Sequence, residues 1–167
     1  PEGYGRYLGK GTGLTFNMHY HKEPGPGPGL WDQSAIAFTF QDKPVQHEVN
    51  WGAVGTMSFA IPAHAANHEV TAEETFRKDT MLLALFPHTH LRGKASKYTA
   101  FYPDGTEEVL LYVPRYDFNW QTNYIFKEPK RIPANTRIEV QMWYDNSEAR
   151  AAETGIDPSE TVYWGEP

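Results

Sequence analysis

A chain of 167 residues with 40% hydrophobic and 14% aromatic content can bury a real core, which excludes a disordered polypeptide and suits one domain, or one domain plus a piece of another. The formal net charge of -6, with no basic stripe, argues against nucleic acid as a partner, and no apolar run approaches the roughly 18 residues of a membrane-spanning helix. There is no cysteine, so neither a disulfide framework nor a thiolate ligand or nucleophile is available. The 13 prolines and 14 glycines fall between short aromatic and β-branched runs, which predicts many strands and tight turns.

In chain order, Gly11–Tyr20 (GTGLTFNMHY) alternates Leu14, Phe16 and Met18 against Thr15, Asn17 and His19, predicting a half-buried strand with His19 on its polar face. Glu23–Gly29 (EPGPGPG) can be neither helix nor central strand, because proline lacks a donor and glycine adds freedom. Ser34–Phe40 (SAIAFTF) predicts the returning strand, and Asp42–Pro44 breaks the pattern, placing a domain boundary near residue 45.

In the second block, Glu48–Ile61 predicts one or two strands. Ala63–His68 (AHAANH) predicts a helical turn that would put His64 and His68 on one face, a weak chelating signal. Glu69–Phe76 predicts a strand. Ala95–Tyr102 and Glu107–Val113 flank Pro103-Asp104-Gly105, where proline presets φ and glycine accepts positive φ, so a hairpin is expected. Arg115–Gln121 (RYDFNWQ) is irregular, Thr122–Phe126 predicts a short strand, and Pro129–Asn135 a turn. Thr136–Tyr144 alternates cleanly, with Ile138, Val140, Met142 and Tyr144 against Arg137, Glu139, Gln141 and Trp143. Asp145–Pro158 predicts a loop and Thr161–Trp164 a last short strand. Without a repeat or a helix longer than two turns, the class is all-β: sandwich, jelly roll or barrel.

The stretch that carries chemistry is Thr80–Lys94 (TMLLALFPHTHLRGK). It opens as an apolar run suited to a buried strand and closes on His88 and His90. Side chains two apart on a strand leave the same face roughly 6.6–7 Å apart, within reach of one metal ion.

Phe86–Lys94 (FPHTHLRGK), Tyr102–Gly105 (YPDG), Val113–Gln121 (VPRYDFNWQ), Asp145–Ser147 (DNS) and Val162–Glu166 (VYWGE) together resemble the C-terminal part of the copper type II, ascorbate-dependent monooxygenases. That family includes peptidylglycine α-hydroxylating and dopamine β-monooxygenases, and the YPDG and FNWQ stretches look like its bacterial branch. The resemblance covers most of the chain from Phe59 onward and reaches back through Asn17–Tyr20 (NMHY).

It implies two jelly-roll domains, each holding one copper, across a solvent-filled cleft. Residues 1–45 would be the tail of the first domain and 46–167 most of the second, an antiparallel β-sandwich of jelly-roll type. His88 and His90 match the histidine pair of the oxygen-activating copper, and His19 matches one ligand of the electron-transfer copper. Ascorbate or another electron donor would be co-substrate, and the location extracytoplasmic, periplasmic or secreted. Gln121, Asp145 and Asn146, in polar clusters near aromatics, are candidates for orienting the imidazoles.

Departures from the pattern accompany these matches. There is no His-His pair, and none of Met18, Met57, Met81 or Met142 sits in the acidic motif ending in Glu-Met that carries the family's methionine ligand. The expectation is an interior fragment whose missing ligands lie in N- and C-terminal parts of the same protein or in other subunits. Phe86 stands where the peptide-hydroxylating branch has an arginine for the substrate carboxylate, which disfavours a peptidylglycine substrate. Two other readings stand beside the enzyme: a non-catalytic jelly-roll subunit or metal-binding module of a larger assembly, and a carbohydrate-binding module using Trp31, Trp51 and Trp143.

Overall fold

The computed structural model describes residues 2–18, 20, 25–27 and 29–165. The chain divides into two units, Pro1–Gly52 and Ala53–Pro167.

In the first unit, β1 (Tyr4–Gly5) pairs in parallel with β2 (His47–Glu48), and the Tyr4 and His47 rings lie 4.7 Å apart. The Gly3 carbonyl accepts from the amides of both Gln46 and His47, at 2.9 and 3.0 Å. The strands expected over Gly11–Tyr20 and Ser34–Phe40 do not form among the described residues, and their apolar side chains are exposed, Leu14, Phe16, Ile36 and Phe38 among them. Alternation supplies an apolar face, but a strand also needs a ladder partner and a layer to cover that face. His19 lies outside the described residues.

The second unit is an all-β sandwich of antiparallel sheets. Its elements in order are β3 (Ala60–Ile61), β4 (His68–Phe76), β5 (Thr80–Leu85), β6 (Gly93–Phe101), β7 (Glu107–Val113), β8 (Tyr124–Ile132), β9 (Thr136–Tyr144), α1 (Glu148–Thr154) and β10 (Val162–Tyr163). The main sheet has the order β4-β9-β6-β7; β5 pairs with β8, and β3 with β10.

Strand β9 lies inside the main sheet, paired with β4 on one side and β6 on the other; Ile138 and Val140 are 2% exposed, across from Ala100 and Tyr98 of β6. These four residues are the buried core cluster, and Phe76, Leu85, Leu111 and Met142 pack against it, Leu85 being the contribution of the second sheet. On the outer face Arg137 bridges Glu73 and Glu139, at 2.8 and 3.0 Å, and lies 4.0 Å over the Phe101 ring. The β6–β7 hairpin turns on Gly105 at φ 86, with the Gly105 amide donating to Tyr102.

Strand β5 stops at Leu85, so the apolar run does not carry the histidines on a strand. There is no helical turn at 63–68: His64 sits at φ 59, and His68 opens β4. Pro129 lies inside β8 rather than in a turn, tolerated because β8 pairs only with β5 and the β5–β8 register is irregular there. The loop after β9 contains α1. Ser147 caps it by accepting from the Arg150 amide, and Gly155 ends it at φ 75, donating to Ala151.

Candidate metal site

The segment between β5 and β6 alternates without a ladder: Pro87 and Thr89 are buried, whereas Phe86, His88 and His90 are exposed. Both imidazoles therefore leave the same side of an extended loop, as they would from a strand. Their ring centroids are 5.4 Å apart, with the planes at 84°. Two imidazoles sharing one ion at about 2 Å per bond have ring centres roughly 4.5–6.5 Å apart, so this spacing fits a shared metal.

The His88 tautomer follows from its neighbour. Gln121 Nε2 donates to the Phe118 carbonyl at 2.9 Å, which turns its Oε1 toward His88 Nδ1 at 2.7 Å. Nδ1 therefore carries the proton, and Nε2 presents its lone pair. Phe86 stacks near-parallel to His88 at 6.1 Å and Phe118 meets His90 edge-on at 6.4 Å, so the pair is framed by two aromatic rings.

The loop is held from beneath. Tyr116 hydrogen-bonds both ends of Thr89: its oxygen accepts from the Thr89 amide at 3.2 Å, and its hydroxyl donates to the Thr89 carbonyl at 2.8 Å. The turn from His90 to Gly93 closes with the Gly93 amide donating to the His90 carbonyl at 2.8 Å. A Cβ on Gly93 would lie 1.9 Å from Thr89 Oγ1 and 2.8 Å from the Tyr116 ring, so only glycine fits. From α1, Arg150 donates to the carbonyls of Leu91 and Gly93, at 3.0 and 3.1 Å.

Arg92, buried at 7% exposure, points the other way and donates to Asn146 Oδ1 at 2.9 Å and to the Asp157 carbonyl at 3.1 Å. Asn146, fully buried, donates in turn to the carbonyls of Pro62 and Glu160. Asn146 thus ties the loop into the fold, and Gln121 touches an imidazole directly. Asp145 acts on the helix instead, accepting from the Ser147 amide at 3.0 Å.

Burial pushes the Tyr98 and Tyr144 phenols up to about 12, and the neighbouring Tyr116 phenol adds to both shifts.

Among the described residues, no cluster of three or more His, Cys, Asp or Glu forms, so His88 and His90 stand as a pair. His64 pairs with Glu148 through Nδ1 at 2.6 Å. Trp143, half-buried, commits its indole N–H to Glu69 at 2.9 Å. Tyr116, Arg92 and Arg150 are the residues that sequence reasoning missed. A buried aromatic in the polar run RYDFNWQ was a usable signal for the first, but nothing local marks the two arginines.

The chain matches no family model, no curated protein and no solved structure.

The donor set suits copper. Imidazole serves both oxidation states, and an open two-histidine site leaves positions for further ligands.

Proposed function

We propose that this chain is the oxygen-activating part of a copper- and ascorbate-dependent monooxygenase, with residues 46–167 as a jelly-roll domain and residues 1–45 as the tail of a preceding one. The observation that carries the reading is the facing pair His88 and His90, 5.4 Å apart, with Nδ1 of His88 fixed by Gln121. The sequence motifs around that pair, FPHTHLRGK and FNWQ, supply the family resemblance.

Bound copper would supply one-electron redox chemistry and a place for dioxygen to react. The chain's own residues would hold that ion in place: His88 and His90 would offer imidazole nitrogens, Gln121 keeps the His88 proton on Nδ1, and Tyr116 and Arg150 fix the loop backbone from which both rings depart. Phe86 and Phe118 line the approach with apolar surface, which favours a substrate presenting a C–H bond from an uncharged group. Electrons would come from ascorbate or another donor. The remaining copper ligands would come from further parts of the same protein or other subunits, in an extracytoplasmic setting.

The two-ligand character of the pair favours one alternative, a non-catalytic jelly-roll subunit that keeps a metal-binding surface. Oxygen uptake by the copper-loaded parent protein supplied with ascorbate separates the two. The enzyme reading expects uptake that His88→Ala abolishes; ascorbate-dependent uptake indifferent to that change would leave the subunit reading.

A further inference from the structure

A cleft of about 200 Å³ lies in the second unit, lined in part by Pro87, the residue before His88. Pro87, Val113, Trp120 and Tyr124 form its apolar walls, and Arg115 and Asp117 stand at it as opposite charges. We propose that this cleft binds a small zwitterion with an aromatic body, of the chemical class of an aromatic α-amino acid.

Three observations converge on that class. The volume lies below the roughly 300–1,000 Å³ of sites for drug-sized ligands, so it suits one ring with short polar arms. Trp120 is 70% exposed, a large indole face offered to solvent at the cleft, and Tyr124 supplies a second aromatic wall.

The charges are the third. Arg115 is exposed and makes no ion pair or hydrogen bond among the described residues, so its planar fork is free for a carboxylate. Asp117 Oδ1 accepts from the Asn119 amide at 2.8 Å, and the Asp117 carbonyl accepts from Trp120 at 3.0 Å. These bonds fix the turn that presents Trp120 and leave Oδ2 for an ammonium group. An anion alone would meet the Asp117 carboxylate and a cation alone the Arg115 guanidinium, whereas a zwitterion satisfies both.

Calorimetric titration of the full chain with phenylalanine, 3-phenylpropionate and 2-phenylethylamine tests the assignment, and it needs no copper. Phenylalanine is expected to bind tightest. Arg115→Met should weaken phenylalanine and 3-phenylpropionate by about tenfold and leave 2-phenylethylamine unchanged. Asp117→Asn should weaken phenylalanine and 2-phenylethylamine and spare 3-phenylpropionate. The spared ligand in each case shows that the variant is folded. No saturation by phenylalanine below about 10 mM, equal binding of all three with both variants silent, or a response confined to one charge would each overturn the proposal.

Discussion

Tyr116 grips the peptide of Thr89 from both ends, accepting from its N–H at 3.2 Å and donating to its C=O at 2.8 Å. Thr89 is the residue between the two histidines, so one phenol sets the backbone from which both imidazoles depart. Tyr116→Phe would leave the Thr89 N–H and C=O without this partner, at about 1–3 kcal/mol for each group that finds no replacement. Denaturant unfolding should show that loss, and copper affinity should fall with it.

Gly93→Ala is expected to be more disruptive than a glycine-to-alanine change in a strand, because the added methyl would run into Thr89 Oγ1 and the Tyr116 ring. Overpacking of this kind costs about 1–3 kcal/mol. Thr89 Oγ1 is buried without a hydrogen-bond partner, so Thr89→Ala alone should be nearly neutral and should partly rescue Gly93→Ala. A double-mutant cycle read by thermal unfolding checks the coupling; strict additivity would contradict it.

Gln121→Leu removes the acceptor that keeps the His88 proton on Nδ1. Loss of such an orienting partner lowers metal affinity by about 10–100-fold, so copper binding should weaken within that range while unfolding stability changes little. Gln121→Glu, which keeps an acceptor at the same place, should retain most of the affinity.

The Tyr98 phenol is held at about 12 in the folded chain by burial first and by the Tyr116 phenol second, against an ordinary value of 10.0. Because the folded value is the higher one, the stability involved is fully present below pH 10 and is lost as pH rises toward 12. At about 1.4 kcal/mol per unit, the loss is on the order of 2–3 kcal/mol. Unfolding free energy followed across that window should fall in the native chain and fall less in Tyr98→Phe.

Much of the sandwich was legible because its elements rest on local signals. Strand β9 matches its alternation from Thr136 to Tyr144, and the Pro103-Asp104-Gly105 turn fixed the β6–β7 hairpin. The same periodicity misled at Gly11–Tyr20 and Ser34–Phe40, since alternation says which face is apolar and not whether a neighbouring strand exists to complete it. The histidine pair was legible as two imidazoles leaving one side of the chain, but its setting was not. Strand β5 stops at Leu85 and Pro87 follows, and Tyr116 is one of the residues that hold Thr89 inward between the exposed histidines. The arginines that brace the loop, Arg92 and Arg150, act across 54 to 65 residues of sequence, which no window reading reaches.

Copper titration of the chain beside its His88→Ala, His90→Ala and His64→Ala variants tests whether His88 and His90 hold one metal ion together. One copper per chain is expected, lost or strongly weakened in each of the first two variants and nearly unchanged in the third, whose imidazole is engaged by Glu148. Equal weakening in all three would contradict it.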